Sequence, residues 1–296
     1  MRIYDCITYF DEEVLLDFRL NCLNKYVDKF VIVESKYTHR GVKKGFNLDL
    51  GRFKKFKEKI IYIKIKTKPS NLNIIKKSDH EDNKSSKHIF NGYIWDHFQR
   101  NKILDGLKDC DSEDIILISD LDEIPNLEGI NFEQIKNKLI FFRQNILFYK
   151  FNLLYKNRFW FGTRACKKKN LISPQWIRDI KHKKYSFFRF DRFFSKKKYF
   201  DIFYVKNGGW HYTNLKSPKN VFKKLKNYAH YLEFDLSKIR LRDIKKMILN
   251  KRAIYNHEVD QTANKFDGKI KLCKFSKKYW PNYLKDNYYK YKKWIA

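Results

Sequence analysis

Asp114-Ile115-Ile116-Leu117-Ile118-Ser119-Asp120-Leu121-Asp122-Glu123-Ile124-Pro125 is an unbroken apolar, β-branched run that stops at three carboxylates. Such a run reads as a buried strand. Pro125 lacks the N–H that a central ladder needs, so the strand ends there. In an open α/β sheet, ligands sit in the crevice outside the carboxyl ends of the strands. Asp120 and Asp122 are therefore expected at the mouth of a crevice. Alternate residues of an extended segment share a face, so these two carboxylates converge while Leu121 turns into apolar packing. Converging carboxylates repel each other, and a divalent cation between them relieves that repulsion. A hard cation held this way keeps coordination positions for substrate phosphate. The plainer alternative is a solvated turn, with Asp122 or Glu123 near the start of the next segment.

The flanks support an α/β reading. Arg2 to Phe10 alternates as a strand. Asp11 is positioned to cap a helix carrying Val14, Leu15, Phe18, Leu20, Leu23 and Tyr26, with acids in its first turn. Lys29 to Glu34 and Ile60 to Ile65 are further strands. Strands alternating with helical stretches indicate a mostly parallel sheet. Residues 66–88 are polar, basic and aperiodic, the pattern of a long flexible or substrate-gating loop. Trp95, Phe98, Ile103, Leu104 and Leu107 then have helical spacing. Leu139 to Phe151 is strand-like, and Ser217 to Leu249 is helical and basic. No internal repeat and no linker stand out. A single domain over 1–235, with a basic, mainly helical extension over 236–296, accounts for the pattern.

The chain has 296 residues, enough for a substantial core. Its net charge is +32 and its pI about 9.8. That imbalance suits an anionic partner: nucleic acid, an anionic membrane surface or an anionic substrate such as a nucleotide sugar. The abundance of Lys, Asn, Ile, Phe and Tyr also matches AT-biased codon usage, which raises Lys without a functional reason. Five scattered cysteines with no metal-ligand spacing indicate buried thiols in a reducing compartment. The start Met1-Arg2-Ile3-Tyr4-Asp5-Cys6 has no signal-peptide core, and no apolar run is long enough to span a bilayer. The expectation is a cytoplasmic protein, peripheral at a membrane if its basic aromatic stretches dock there.

Two other clusters carry candidate chemistry. Asp96 and Arg100 are four apart on a helix, either a surface pair worth a few tenths of a kcal/mol or a group at the nucleotide crevice. In Gly208-Gly209-Trp210-His211, the glycines allow close backbone approach. Trp210 offers a flat face for a sugar ring, and His211 can ligate metal, contact phosphate or exchange a proton. A turn with a packed indole is the plainer reading. His230 and His257 lie in basic surroundings that suit structural or exposed roles. No Gly-x-Ser-x-Gly elbow, P-loop or Gly-x-Gly-x-x-Gly fingerprint is present, which removes the hydrolase, ATPase and dinucleotide readings.

Five blocks occur in order: Asp5-Cys6-Ile7-Thr8-Tyr9-Phe10; Phe30 to Ser35 with Thr38-His39; Phe98-Gln99-Arg100-Asn101; Ile115 to Pro125; and Gly208 to His211. Together they resemble glycosyltransferase family 17, the β-1,4-mannosyl-glycoprotein N-acetylglucosaminyltransferases. The likeness covers residues 2 to about 235, with a weaker echo at Trp280-Pro281-Asn282-Tyr283. It implies a GT-A-type, Rossmann-like fold, an inverting mechanism, a UDP-sugar donor (UDP-GlcNAc) and Mn²⁺ or Mg²⁺. By the same resemblance Asp120 and Asp122 are the metal and donor-diphosphate motif. Glu34, Arg100, Gly209, Trp210 and His211 fall within the shared blocks as donor- or substrate-binding candidates. The animal enzymes carry a membrane anchor, which is not expected here because no apolar run is long enough to span a bilayer, and the segment 66–88 and the Lys-rich C-terminal half fall outside the pattern.

The expectation is a metal-dependent inverting glycosyltransferase acting on a glycan or lipid-linked glycan. Its base is Glu123 or His211, with Asp191 or Glu258 as more distant acids. The rival is a basic nucleic-acid-binding protein, or a metal-dependent nuclease. A carboxylate cluster at the crevice would repel phosphates without a metal, so no nucleic-acid partner is expected.

Overall fold

Ile115 to Ile118 alternate between two cores. Ile115 and Leu117 pack on one face of the central sheet, Ile116 and Ile118 on the other, and each is at most 1% exposed. Both faces of this strand are covered, which is why it reads as a continuous apolar run and not as an alternating one. The computed structural model describes residues 1–182, 201–228, 231–257 and 263–296. Its first half comprises β1 (Ile3–Tyr9), α1 (Glu13–Leu23), β2 (Lys29–Ser35), β3 (Ile60–Ile65), α2 (Glu81–Asn101) and β4 (Ile115–Asp120). These four strands are parallel, in the order β3-β2-β1-β4. The chain winds outward from β1 to β3 and returns to β4 on the other flank of β1. The order therefore reverses between β1 and β4, and their carboxyl ends open the crevice.

The second half makes the sheet mixed. β5 (Glu123–Pro125), β6 (Leu139–Phe148), β7 (Leu153–Lys167), β8 (Ile202–Val205), β9 (Gly209–Thr213) and β10 (Cys273–Lys274) join it. β7 runs antiparallel to β4 and β6, β6 runs parallel to β8 and β9, and β9 pairs antiparallel with β5. The first four strands are parallel throughout, and parallel pairings slightly outnumber antiparallel ones over the whole sheet, so it is mixed but mostly parallel, as expected. Pro125 ends β5 at the sheet's edge, where a missing N–H costs nothing.

Three apolar clusters hold the layers. One lies under α1. A second lies under α2 and α3 (Pro174–Asp179). The third packs the far ends of β6 and β7 against α4 (Pro218–Leu225), α5 (Tyr231–Leu236) and α6 (Leu241–Leu249).

The expected C-terminal extension packs closely on the rest of the chain. The boundary at 235–236 falls inside α5, β10 pairs with β7, and Trp280, Leu284 and Tyr291 enter the α1 core beside Phe18. Asn152 exchanges two hydrogen bonds with the backbone of Ala296, at 2.7 and 2.8 Å. Of the aromatic residues that punctuate the lysines of the tail, Trp280 and Tyr291 are core residues while Tyr279 and Tyr289 are exposed, and its helices are short.

The expected loop over 66–88 also differs, because α2 begins at Glu81. His80 caps it by accepting from the Asp82 N–H, and Glu81 and Asp82 complement the helix N-terminus. Its first two turns are largely exposed, so they lack the apolar period that identifies a helix. At α1, Asp11 is not the cap. Glu12 occupies that position without capping the helix.

Candidate active site

A cleft of about 320 Å³ opens at the carboxyl ends of β1 and β4. Thr8, Tyr9 and Phe10 line it from β1, Asp120 to Glu123 from β4 and its turn, Asp96 and Arg100 from α2, Trp160 from β7, His211 from β9 and Lys224 from α4. The volume is in the range of small-ligand sites, as is the position at a strand-order reversal.

The turn that carries the acids is held from below. Arg19 of α1 is fully buried and forms a two-pronged ion pair with Asp5, at 2.6 and 2.7 Å. The rest of its guanidinium donates to the carbonyls of Asp120, Leu121 and Glu123 and to the Ser119 hydroxyl. Leu121 anchors the same turn in the core at 4% exposure. The expected division between Leu121 and its neighbouring acids is thus the one observed.

Each acid meets a different environment. Asp120 accepts from Arg100 at 2.9 Å and from Arg178 at 3.1 Å. Burial acts to raise its pKa, but the two guanidiniums outweigh it and hold the carboxyl well below the usual range. Its side chain remains 39% exposed to the cleft, so oxygen lone pairs stay open. Asp122 accepts from Lys224 at 3.2 Å and lies 3.6 Å from His211 Nε2. Lys224 also faces Glu12. Burial would lower the Lys224 pKa, but Asp122 and Glu12 raise it.

Glu123 is buried, and four donors fill its carboxylate: the Asp120 N–H, Trp160 Nε1 and both terminal nitrogens of Arg178. A carboxylate has about four lone-pair positions, so none remains for an acceptor proton. Gly162 makes room for this arrangement, since a Cβ there would lie 2.6 Å from the Glu123 carboxyl carbon.

His211 faces the cleft, stacked on Trp160 with centroids 5.3 Å apart. Its Nε2 lies 3.0 Å from the Thr213 hydroxyl, and its buried Nδ1 has no hydrogen-bond partner among the described residues. His257, read from sequence as structural or exposed, also lines the cleft. Burial, then the charges of His211, Arg158 and Lys265, lower its pKa to about 3, so it is neutral at physiological pH.

The structure thus gathers Arg100, Asp120, Asp122, Glu123 and His211 at one place, together with the Asp96–Arg100 pair. It does not bring in the remaining candidates. Glu34 is fully buried beneath the cleft wall. There it accepts from Lys44, Tyr62 and the N–H groups of Asn47 and Leu48, and so fixes the 44–48 loop instead of touching a ligand. Trp210 faces a separate cleft, because it and His211 are successive residues of β9 and point to opposite sides, and the backbone of Gly209 borders that same cleft. Gly209, at φ +118°, lies so tightly against β5 that a Cβ would collide with the Ile124 carbonyl. Asp191, His230 and Glu258 lie outside the described residues.

Sequence reading missed Arg19, Arg178 and Lys224. Only Arg178 left a trace: Ser173-Pro174 is a helix-start signal, and it opens α3, which carries Arg178.

Among the described residues no group of three or more His, Cys, Asp and Glu side chains is arranged to hold a metal ion. A cation in this cleft would have only Asp120 and Asp122 as carboxylate ligands, and water and ligand phosphate would have to fill its other positions, as is usual for Mg²⁺. No helix of the described residues is long and apolar enough to cross a membrane.

A profile described as Glycosyltransferase family 17 matches residues 1–292. No curated protein matches the chain. Among solved structures, the crystal structure of S. aureus TarS 1-349 aligns with a TM-score of 0.36 and 12% identity, over 84% of this chain and 70% of that one.

Proposed function

The chain belongs to glycosyltransferase family 17, and we propose that it transfers a sugar, GlcNAc, from a UDP-sugar to a glycan or lipid-linked glycan with inversion at the anomeric carbon. One observation carries this reading. Asp120 and Asp122 stand at the carboxyl end of a parallel strand, in a cleft that also holds Arg100, Lys224 and His211. A divalent cation, Mn²⁺ or Mg²⁺, held by Asp120 and Asp122 would supply Lewis-acid neutralisation of the departing diphosphate.

The chain's own residues account for the remaining work. Arg178 and Arg100 keep Asp120 ionised and oriented. Lys224 orients Asp122 through their ion pair and adds positive charge where the leaving group accumulates negative charge. Glu123 is a positioning residue: through Trp160 it fixes the indole on which His211 stacks. We take His211 as the base: its ring lines the cleft beside Asp122 and Thr213, whereas Glu123, the other candidate, has no open lone pair. The acceptor hydroxyl loses its proton to His211 as its oxygen bonds to the anomeric carbon and UDP leaves from the opposite face. The basic surface would bring the enzyme to anionic lipid, where a lipid-linked acceptor resides.

The test is UDP release from UDP-GlcNAc, with Mn²⁺ or with EDTA, by wild type and Asp122→Ala. Slow, metal-dependent release lost in the variant supports the proposal. If UDP- and GDP-sugars give no release and no calorimetric binding, the proposal fails.

A further inference from the structure

We propose that the second cleft, on the other side of β9 from the acids, is a binding site for a neutral oligosaccharide. Its volume is about 440 Å³, and none of its lining residues is shared with the acid-bearing cleft.

The chemistry of its walls points to a polyol. Trp210 and Tyr279 present aromatic surface, and the Trp210 Nε1–H donates to the Tyr279 carbonyl at 2.9 Å, which locks the two together. Tyr279 is 58% exposed and lies flat on Phe275, with ring planes at 29°. The C–H faces of a pyranose are apolar while its hydroxyls point outward. A fixed aromatic plane beside amide groups therefore satisfies both parts of a sugar ring. The amides are present: the side chains of Asn145 and Asn207 form no hydrogen bond among the described residues, and Asn126 uses only its oxygen, accepting from the Glu128 N–H.

Charge sets the class further. The lysines of this cleft, Lys25, Lys278 and Lys285, are nearly balanced by Glu128 and Asp286. In a chain of net charge +32, that balance disfavours a phosphorylated ligand and leaves a neutral one. The close β5–β9 approach at Gly209 sets the backbone of Trp210, so the site is built before ligand arrives.

The proposal stands whether or not the acid-bearing cleft binds UDP-GlcNAc, and its test measures binding alone. Wild type, Trp210→Ala, Tyr279→Ser and Asp122→Asn are titrated with chitotetraose, mannopentaose and maltopentaose by calorimetry and saturation-transfer NMR, up to about 10 mM. At least one saccharide should bind to wild type. Trp210→Ala and Tyr279→Ser should each weaken that binding at least tenfold, and Asp122→Asn should leave it within twofold. Tyr279 is exposed, so its variant folds even if Trp210→Ala does not, which thermal melting checks. No binding to wild type overturns the proposal. So does unchanged binding in Tyr279→Ser, or loss in Asp122→Asn alone, which would place the saccharide in the other cleft.

Discussion

Asp120 and Glu123 are three residues apart and carry the same functional group, yet their surroundings divide their roles. Asp120 keeps open lone pairs and Glu123 keeps none. Asp120→Asn should therefore lower metal-dependent UDP release by about 10²-fold or more, with a smaller fall in melting temperature than Glu123→Gln, because Arg178 keeps Glu123 and Arg100 keeps Asp96. Glu123→Gln should destabilise the protein, because buried Arg178 loses part of its charge compensation. Activity and thermal melting measured on both variants separate the two roles. His211→Gln should cost about 10²–10⁴-fold in transfer to acceptor while sparing donor affinity, and donor calorimetry beside single-turnover transfer checks this. Gly162→Ala sets a Cβ against the Glu123 carboxyl, and its melting temperature should fall.

At the scale of elements, α1 works on the acid-bearing turn of β4 through one side chain. Arg19→Met leaves Asp5 as an unpaired buried charge and frees three carbonyls of the turn. Breaking such a buried pair costs about 3–5 kcal/mol, which denaturant unfolding would read. Arg19→Met with Asp5→Leu should recover much of that loss, because the buried charge is gone, but not the activity, because the turn remains unheld. The segment 253–257 meets the cleft through His257, whose pKa falls from 6.5 to about 3 on folding. A proton on this imidazole favours the unfolded chain, so stability is complete above about pH 6.5 and declines toward pH 3, by up to about 1.4 kcal/mol per pH unit. In His257→Phe that decline should begin only where the carboxylates titrate, as thermal melts from pH 8 to pH 4 would show.

Over the whole molecule, acid lability has a second source. Burial raises the Glu12 pKa, but Lys216 and Lys224 overcome it and hold the carboxyl at about 2, against an ordinary 4.5. Its contribution is present above about pH 4.5 and lost as pH falls toward 2. The same molecule carries a net charge of +32, while the cations of the acid-bearing cleft are largely paired with its own acids. The surplus therefore lies on the outer surface, including α6 with Arg242, Lys245 and Lys246, next to Leu249 at 81% exposure. Co-sedimentation with phosphatidylglycerol vesicles should be strong at low salt and fall steeply as salt rises, with little binding to phosphatidylcholine. Binding that ignores salt would contradict a peripheral electrostatic contact.

The alternation from Arg2 to Leu121 determined the parallel half of the sheet and the position of the acids, since buried parallel strands leave unbroken apolar runs and a strand ends where carboxylates and proline follow. Arg100 was legible because it sits one helical turn from Asp96 and just before β4. Tertiary structure decided the rest. Arg19, Arg178 and Lys224 reach the site from elements distant in sequence, and one lysine or arginine among 65 carries no local sign of its partner. Glu34 and Trp210 lie in recognisable blocks, yet side-chain direction took them elsewhere. Period-two alternation in β9 points His211 at the acids and Trp210 at the other cleft, and which side holds the acids is settled only when β9 pairs with β5 and β6.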